Sequence, residues 1–125
     1  MESERRRGAQ RPYPRLARVN ALLQEVLAEQ LSRISDVDER LALATITGVD
    51  CSSDLKNAIV YLSSLEETTA AALEEHRRGL QQALGREVQI RRIPALRFLA
   101  DPAVAAGDRI EAAIRRSRLR DESNG

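Results

Sequence analysis

The stretch Val88-Gln89-Ile90-Arg91-Arg92-Ile93-Pro94-Ala95-Leu96-Arg97-Phe98-Leu99-Ala100-Asp101 reads as a strand that is apolar on one face and basic on the other. Val88 and Ile90 share a face under two-residue alternation, Leu96 and Phe98 share it again, and Ile93-Pro94 breaks the phase between them. Proline has no N–H for a ladder bond, so Pro94 places the strand at a sheet edge or at a bulge. Either position turns Arg91, Arg92 and Arg97 along an accessible rim, where they are candidates to touch a polyanion.

Outward from that stretch the hydrophobic period changes repeatedly. Asp101-Pro102 opens a last helix through Ile110 and Ile114, with Asp101 as N-cap and Pro102 at the first helical position. Residues 117–125 form a polar tail expected to fray. Upstream, Glu66-Glu67-Thr68-Thr69 opens a long helix with acids in the turn where the helix dipole favours them; it continues through Leu73, Leu80 and Leu84 to a stop at Gly85. Gly79 lies inside it after His76-Arg77-Arg78. An interior glycine costs about 1 kcal/mol against alanine and marks a kink or a close backbone approach.

Leu41 to Val49 is rich in β-branched residues and reads as a strand; Asn57 to Ser63 reads as another, with Ala58, Val60 and Leu62 on one face and Ile59 and Tyr61 on the other. Asp50-Cys51-Ser52-Ser53-Asp54-Leu55 supplies turn chemistry between them, so the two pair antiparallel. Leu16, Val19, Leu23, Val26, Leu27, Leu31 and Ile34 recur at three- and four-residue spacing, one apolar stripe on a first helix beginning at Arg15. Residues 1–14 lack any such period and read as a disordered basic arm. The order helix, strand, strand, long helix, strand, helix describes an α+β domain over residues 15–116, a three-stranded sheet with helices on one face.

Composition narrows the function classes. Of 125 residues 42% are apolar but only 2% aromatic, with Tyr13, Tyr61 and Phe98 the whole set, so the core is aliphatic and stacking platforms for bases are scarce. The lone cysteine, Cys51, excludes an internal disulfide and a cysteine-rich zinc site. No apolar run suits a membrane helix or a secretion signal, and a cytoplasmic protein is expected. The net charge of +1 conceals segregation. Residues 1–24 carry six arginines against two acids, residues 25–75 three bases against eleven acids, and residues 76–125 eleven arginines against six acids. Every base but Lys56 is arginine, the side chain best matched to phosphate.

Arg18-Val19 on the first helix, Thr45-Ile46-Thr47-Gly48-Val49, Ser52-x-Asp54-Leu55-x-x-Ala58-x-Val60-Tyr61, and Arg91-x-x-Pro94-x-Leu96-x-Phe98 with Asp101 together resemble the ribosome-binding factor A family of bacterial small-subunit assembly factors. The resemblance implies a KH-like fold of the second type, ordered α-β-β-α(kinked)-β-α, in which the usual Gly-x-x-Gly clamp is replaced by Ala-x-Gly at a helix kink. Here that position reads Arg77-Arg78-Gly79, with arginine where the family has alanine. The resemblance further implies association with free immature 30S subunits, late maturation and processing of 16S rRNA, importance at low temperature, and no catalysis.

The candidate RNA contacts are therefore Arg15, Arg18, Arg77, Arg78, Gly79, Arg91, Arg92 and Arg97. Arg15 and Arg18 sit where a helix dipole disfavours cations, a placement that suits a partner better than the helix itself. Asp36, Asp38 and Glu39 lack the rest of a calcium loop and read as a solvated turn, and His76 as a helix-surface histidine without a partnered nucleophile. No metal or cofactor is expected, and the protein is expected to be a monomer. The alternative reading is a protein-interaction module that works through the acidic segment 25–75, with RNA binding incidental.

Overall fold

Alternation puts β2 (Asn57–Leu62) at the centre of the sheet. Ala58, Val60 and Leu62 are buried on one face, while Ile59 and Tyr61 are half-buried on the other, the division that a two-residue period predicts. β1 (Ile46–Cys51) pairs with it antiparallel, Val49 opposite Val60 and Cys51 opposite Ala58, with an irregularity between Ile46 and Gly48. β3 (Ala95–Ala100) lies on the other side and runs parallel to β2, from Asn57 opposite Ala95 to Leu62 opposite Ala100. A parallel neighbour needs a long crossover, which α2 (Glu67–Glu87) provides. The computed structural model that shows this describes residues 12–124; residues 1–11 of the expected arm, and Gly125, lie outside the described residues.

Two helices cover one face of the sheet. α1 (Pro12–Ser35) buries Leu23, Leu27 and Leu31 at four-residue spacing, and α2 buries Ala72, Leu73, Leu80, Ala83 and Leu84. With Val49, Cys51, Val60, Leu62 and Leu96 all of these but Ala83 form a single aliphatic core, in which burying each leucine side chain is worth about 1.5–3 kcal/mol. α3 (Pro102–Asn124) leaves the far end of the sheet, and none of its described side chains is buried. Its start is well specified. Asp101 donates its N–H to the Leu62 carbonyl (2.8 Å), accepts from the Ala103 N–H (2.9 Å), and accepts the Thr47 hydroxyl through its second oxygen.

The α+β, KH-like arrangement matches the expectation; several boundaries do not. The strand expected from Val88 begins only at Ala95, because β2 offers no pairing partner upstream of Asn57. Val88 to Pro94 is instead a loop folded onto the core, with Val88 and Pro94 buried and Ile90 packed beside them. The apolar alternation at Val88 and Ile90 reflects that packing and not a pleat. The strand expected from Leu41 begins at Ile46, the residue opposite Leu62 at the end of β2. Leu41 closes a 3₁₀ turn (Glu39–Leu41) and is buried there.

α2 does not stop at Gly85 but continues to Glu87 as one run through Gly79. Gly85 serves packing: a Cβ there would stand 2.8 Å from Ile93 Cδ1 of the folded-back loop. α1 starts at Pro12 and not at Arg15, since prolines are tolerated in a first turn whose N–H groups have no helical partner. α3 carries its helical backbone through the segment read as a tail, to Asn124.

Candidate nucleic-acid interface

Part of the charge segregation of the sequence becomes spatial, although Asp50 and Asp54 stay at the hairpin end and Arg109, Arg115, Arg116 and Arg118 leave the other end on α3. Three contacts define one end of the sheet. Asn20 Oδ1, early in α1, accepts from the Cys51 N–H at the end of β1 (2.8 Å). The hairpin loop closes there, with the Ser52 N–H donating to the Asn57 carbonyl (2.8 Å). The Ala95 N–H at the start of β3 donates to the Lys56 carbonyl (2.9 Å). Arg15 and Arg18 precede Asn20 on α1 by five and two residues, Lys56 is in the hairpin loop, and Arg91 and Arg92 precede β3; all five are exposed. Such an end, with arginine forks that have no acid partner among the described residues, suits the sequence-independent phosphate contacts that dominate RNA affinity.

Arg77, Arg78 and Gly79 approach that end along α2. Gln81 donates to the Pro94 carbonyl (3.1 Å) and Gly85 receives Ile93, so the 91–94 loop lies against the face of α2 that begins one turn after Arg77 and Arg78. Arg78 and Gly79 are exposed, and a Cβ at Gly79 would have no heavy atom within 4 Å. Arg77 is engaged with Glu74 one turn back, and its Nε is buried without a hydrogen-bond partner among the described residues.

Arg97 departs from the group. Leu96 faces the helices, so Arg97 projects from the opposite face of the sheet, opposite Ile59 in the register. The basic rim read from the sequence is thus two features: Arg91 and Arg92 on a loop at the basic end, and Arg97 on the outer face of an edge strand. Arg91 and Arg92 were visible as charges, but their loop was hidden by the apolar residues around them.

The opposite end holds a polar network where the sequence predicts a solvated turn. Asp38 accepts from the Arg40 backbone N–H (3.2 Å) and side chain (Nε 2.9 Å, Nη2 2.7 Å), and from His76 Nε2 (3.0 Å). Arg40 also grips Glu75 through Nη1 (3.1 Å) and Nη2 (2.6 Å), and its carbonyl accepts the Thr69 hydroxyl (3.2 Å). The Arg40 guanidinium, then His76, hold the Asp38 carboxyl well below the usual carboxylate range, and Arg40 likewise lowers Glu75. His76 is therefore a clasp between α2 and the 3₁₀ turn. Among the described residues no group of three or more metal-ligating side chains occurs, and no helix is long and apolar enough to cross a membrane.

The sequence model of the family described as Ribosome-binding factor A matches residues 15–114. A curated relative from Acidithiobacillus ferrooxidans, ribosome-binding factor A, is 39% identical over 98 residues, covering 73% of this chain and 77% of the relative. The crystal structure of ribosome-binding factor A from Thermus thermophilus superposes with a TM-score of 0.63 at 37% identity, covering 68% of this chain and 94% of that one. A Thermus thermophilus ribosome-binding factor A homology model, fitted into the cryo-EM map of its 30S complex, gives a TM-score of 0.56 at 38% identity, over 66% of this chain and 91% of that one.

Proposed function

This chain belongs to the ribosome-binding factor A family, and from that premise we propose that it binds the free, immature 30S subunit through its 16S rRNA and promotes late maturation and processing of that RNA, with greatest importance at low temperature. The relative whose structure was fitted into a 30S complex supports the partner. The observation that carries the interface is the gathering of Arg15, Arg18, Arg91 and Arg92 with Lys56 at one end of the sheet, all exposed and without acid partners among the described residues. Arg78 and Gly79 extend that surface along α2, where a glycine lets an RNA backbone approach closely. Arg77 joins only by leaving Glu74, a cost of a few tenths of a kcal/mol for an exposed pair of this spacing. Arg97 contacts RNA that wraps the β3 edge.

The action is stoichiometric and non-enzymatic, in the cytoplasm. A ligand shifts RNA folding only as far as it prefers one conformer, so the protein favours the immature subunit's conformer and leaves when that conformer is gone. Cosedimentation with 30S subunits on sucrose gradients tests the reading. Arg91→Glu with Arg92→Glu is expected to reduce occupancy and to lower the salt slope by about 1–2, close to one per lost phosphate contact. An unchanged slope would remove the 91–94 loop from the interface. Equal occupancy of translating ribosomes and free 30S subunits would refute the assembly role.

A further inference from the structure

Val37 and Leu43 are the most exposed large apolar side chains among the described residues, at 87% and 88%. They flank the 3₁₀ turn, and neither belongs to loose chain: the Val37 N–H donates to the Ile34 carbonyl (3.0 Å) and the Ala44 N–H to the Leu41 carbonyl (3.1 Å). Beside Leu43 opens a cleft of about 210 Å³ lined by Glu39, Arg40, Leu43, Ser64, Glu66 and Thr68, with Thr69. Its one cation is spent, because Arg40 is held by Asp38 and Glu75. Glu39 and Glu66 are exposed, have no ion pair among the described residues, and Glu66 makes no side-chain cap bond to α2. The cleft therefore sets one exposed apolar side chain, Leu43, beside two acids that have no ion pair among the described residues.

We propose that this end of the molecule is a docking surface for an extended, arginine- or lysine-rich segment of a protein partner that also carries apolar side chains. Basic side chains meet both requirements at once, laying their methylene stems along Leu43 while their heads reach Glu39 and Glu66. RNA is disfavoured here by the same acids that favour a basic peptide. The chain's own basic arm is a poor fit. Residues 1–11 are attached at the other end of α1, whose 24 residues span about 36 Å, a distance those eleven bridge only when almost fully stretched.

The test uses the full chain and a fluorescein-labelled peptide, Arg-Lys-Leu-Arg-Leu-Lys-Arg, read by fluorescence anisotropy, beside a control in which serine replaces both leucines at equal charge. The leucine peptide is expected to bind more tightly than the control, and Leu43→Ser to abolish that preference. Glu39→Lys with Glu66→Lys is expected to weaken binding about tenfold. All three residues are exposed, so the fold survives, and thermal melts check that it does. Equal binding of the two peptides, or binding that withstands the charge reversal, would overturn the proposal. A gain in peptide affinity on removing residues 1–11 would make the arm the occupant, and a peptide-sensitive dimer in sedimentation would make it a second copy; either also overturns it. Cosedimentation with 30S subunits is measured separately, so failure here and failure of the RNA interface are told apart.

Discussion

Gly79 and Gly85 stand on one helix for opposite reasons. Gly85 makes room for Ile93, whereas a Cβ at Gly79 would meet no side chain of the described residues within 4 Å. A glycine inside a helix costs about 1 kcal/mol against alanine, and the proposed RNA contact would account for one here. Gly79→Ala is accordingly expected to raise stability by about 0.5–1 kcal/mol in denaturant titrations while weakening 30S binding. A variant that is more stable and binds equally well would release Gly79 from the interface. Asp38 yields a prediction of a different kind. Its carboxyl is depressed below the ordinary value of 3.8 in the folded state, so the stability it contributes is fully present above that pH and is withdrawn as pH falls through and below it. Asp38→Asn should lower the melting temperature at pH 7, and the gap to the parent should narrow below pH 3.8 as the parent's own carboxyl takes up its proton. A gap that stays constant with pH would mean that Asp38 acts through turn geometry alone.

At the scale of elements, α1 is fastened to β1 by Asn20, whose Oδ1 takes the Cys51 N–H on the outer edge of the strand. Asn20→Ala leaves that N–H without its partner and is expected to cost about 1–3 kcal/mol, whereas Asn20→Asp retains an acceptor and should lose less. Chemical denaturation separates the two, and equal losses would point to packing and not to the hydrogen bond. The contact also shows where legibility ended. Elements with an unbroken period were readable: Leu23, Leu27 and Leu31 announced α1, Ala58, Val60 and Leu62 announced β2, and Asp101-Pro102 announced the start of α3. The hairpin's turn chemistry was also readable, and Asp54 does accept from the Ser52 hydroxyl (2.6 Å) and the Lys56 N–H (3.0 Å). What no local pattern carries is a contact between residues far apart in sequence. Leu55 takes φ 60, a left-handed conformation for which glycine or asparagine is the usual signal. The Asp38–Arg40–Glu75–His76 network and the parallel pairing of β3 are long-range, so the arginines were found as charges while their division between a loop and a sheet face was not.

For the molecule as a whole, charge and core are arranged along different directions. The acids of the 3₁₀ turn and of the start of α2 lie at one end of the sheet and Arg15, Arg18, Arg91 and Arg92 at the other, so the two proposed partners would not compete for one surface. The core between the two ends is shared by α1, α2 and the sheet. α3 stands outside this arrangement: its first turn is tied to the sheet through Asp101, but Ile110 and Ile114 are 60% and 46% exposed and no described side chain beyond the cap is buried. The core and α3 should therefore respond very differently to comparable insults. Leu62→Ala, which removes a side chain with 0% exposure at the centre of the sheet, is expected to cost about 2–5 kcal/mol. Truncation after Ala106 removes most of a 23-residue helix yet keeps the Asp101 cap, and should shift the thermal midpoint by no more than about 2–3 °C, the equivalent of a fraction of a kcal/mol in a domain of this size. Calorimetry on both variants decides the matter: a large destabilisation on truncation would mean that α3 packs on the domain, and a small one beside the collapse of Leu62→Ala would establish residues 12–106 as the cooperative folding unit.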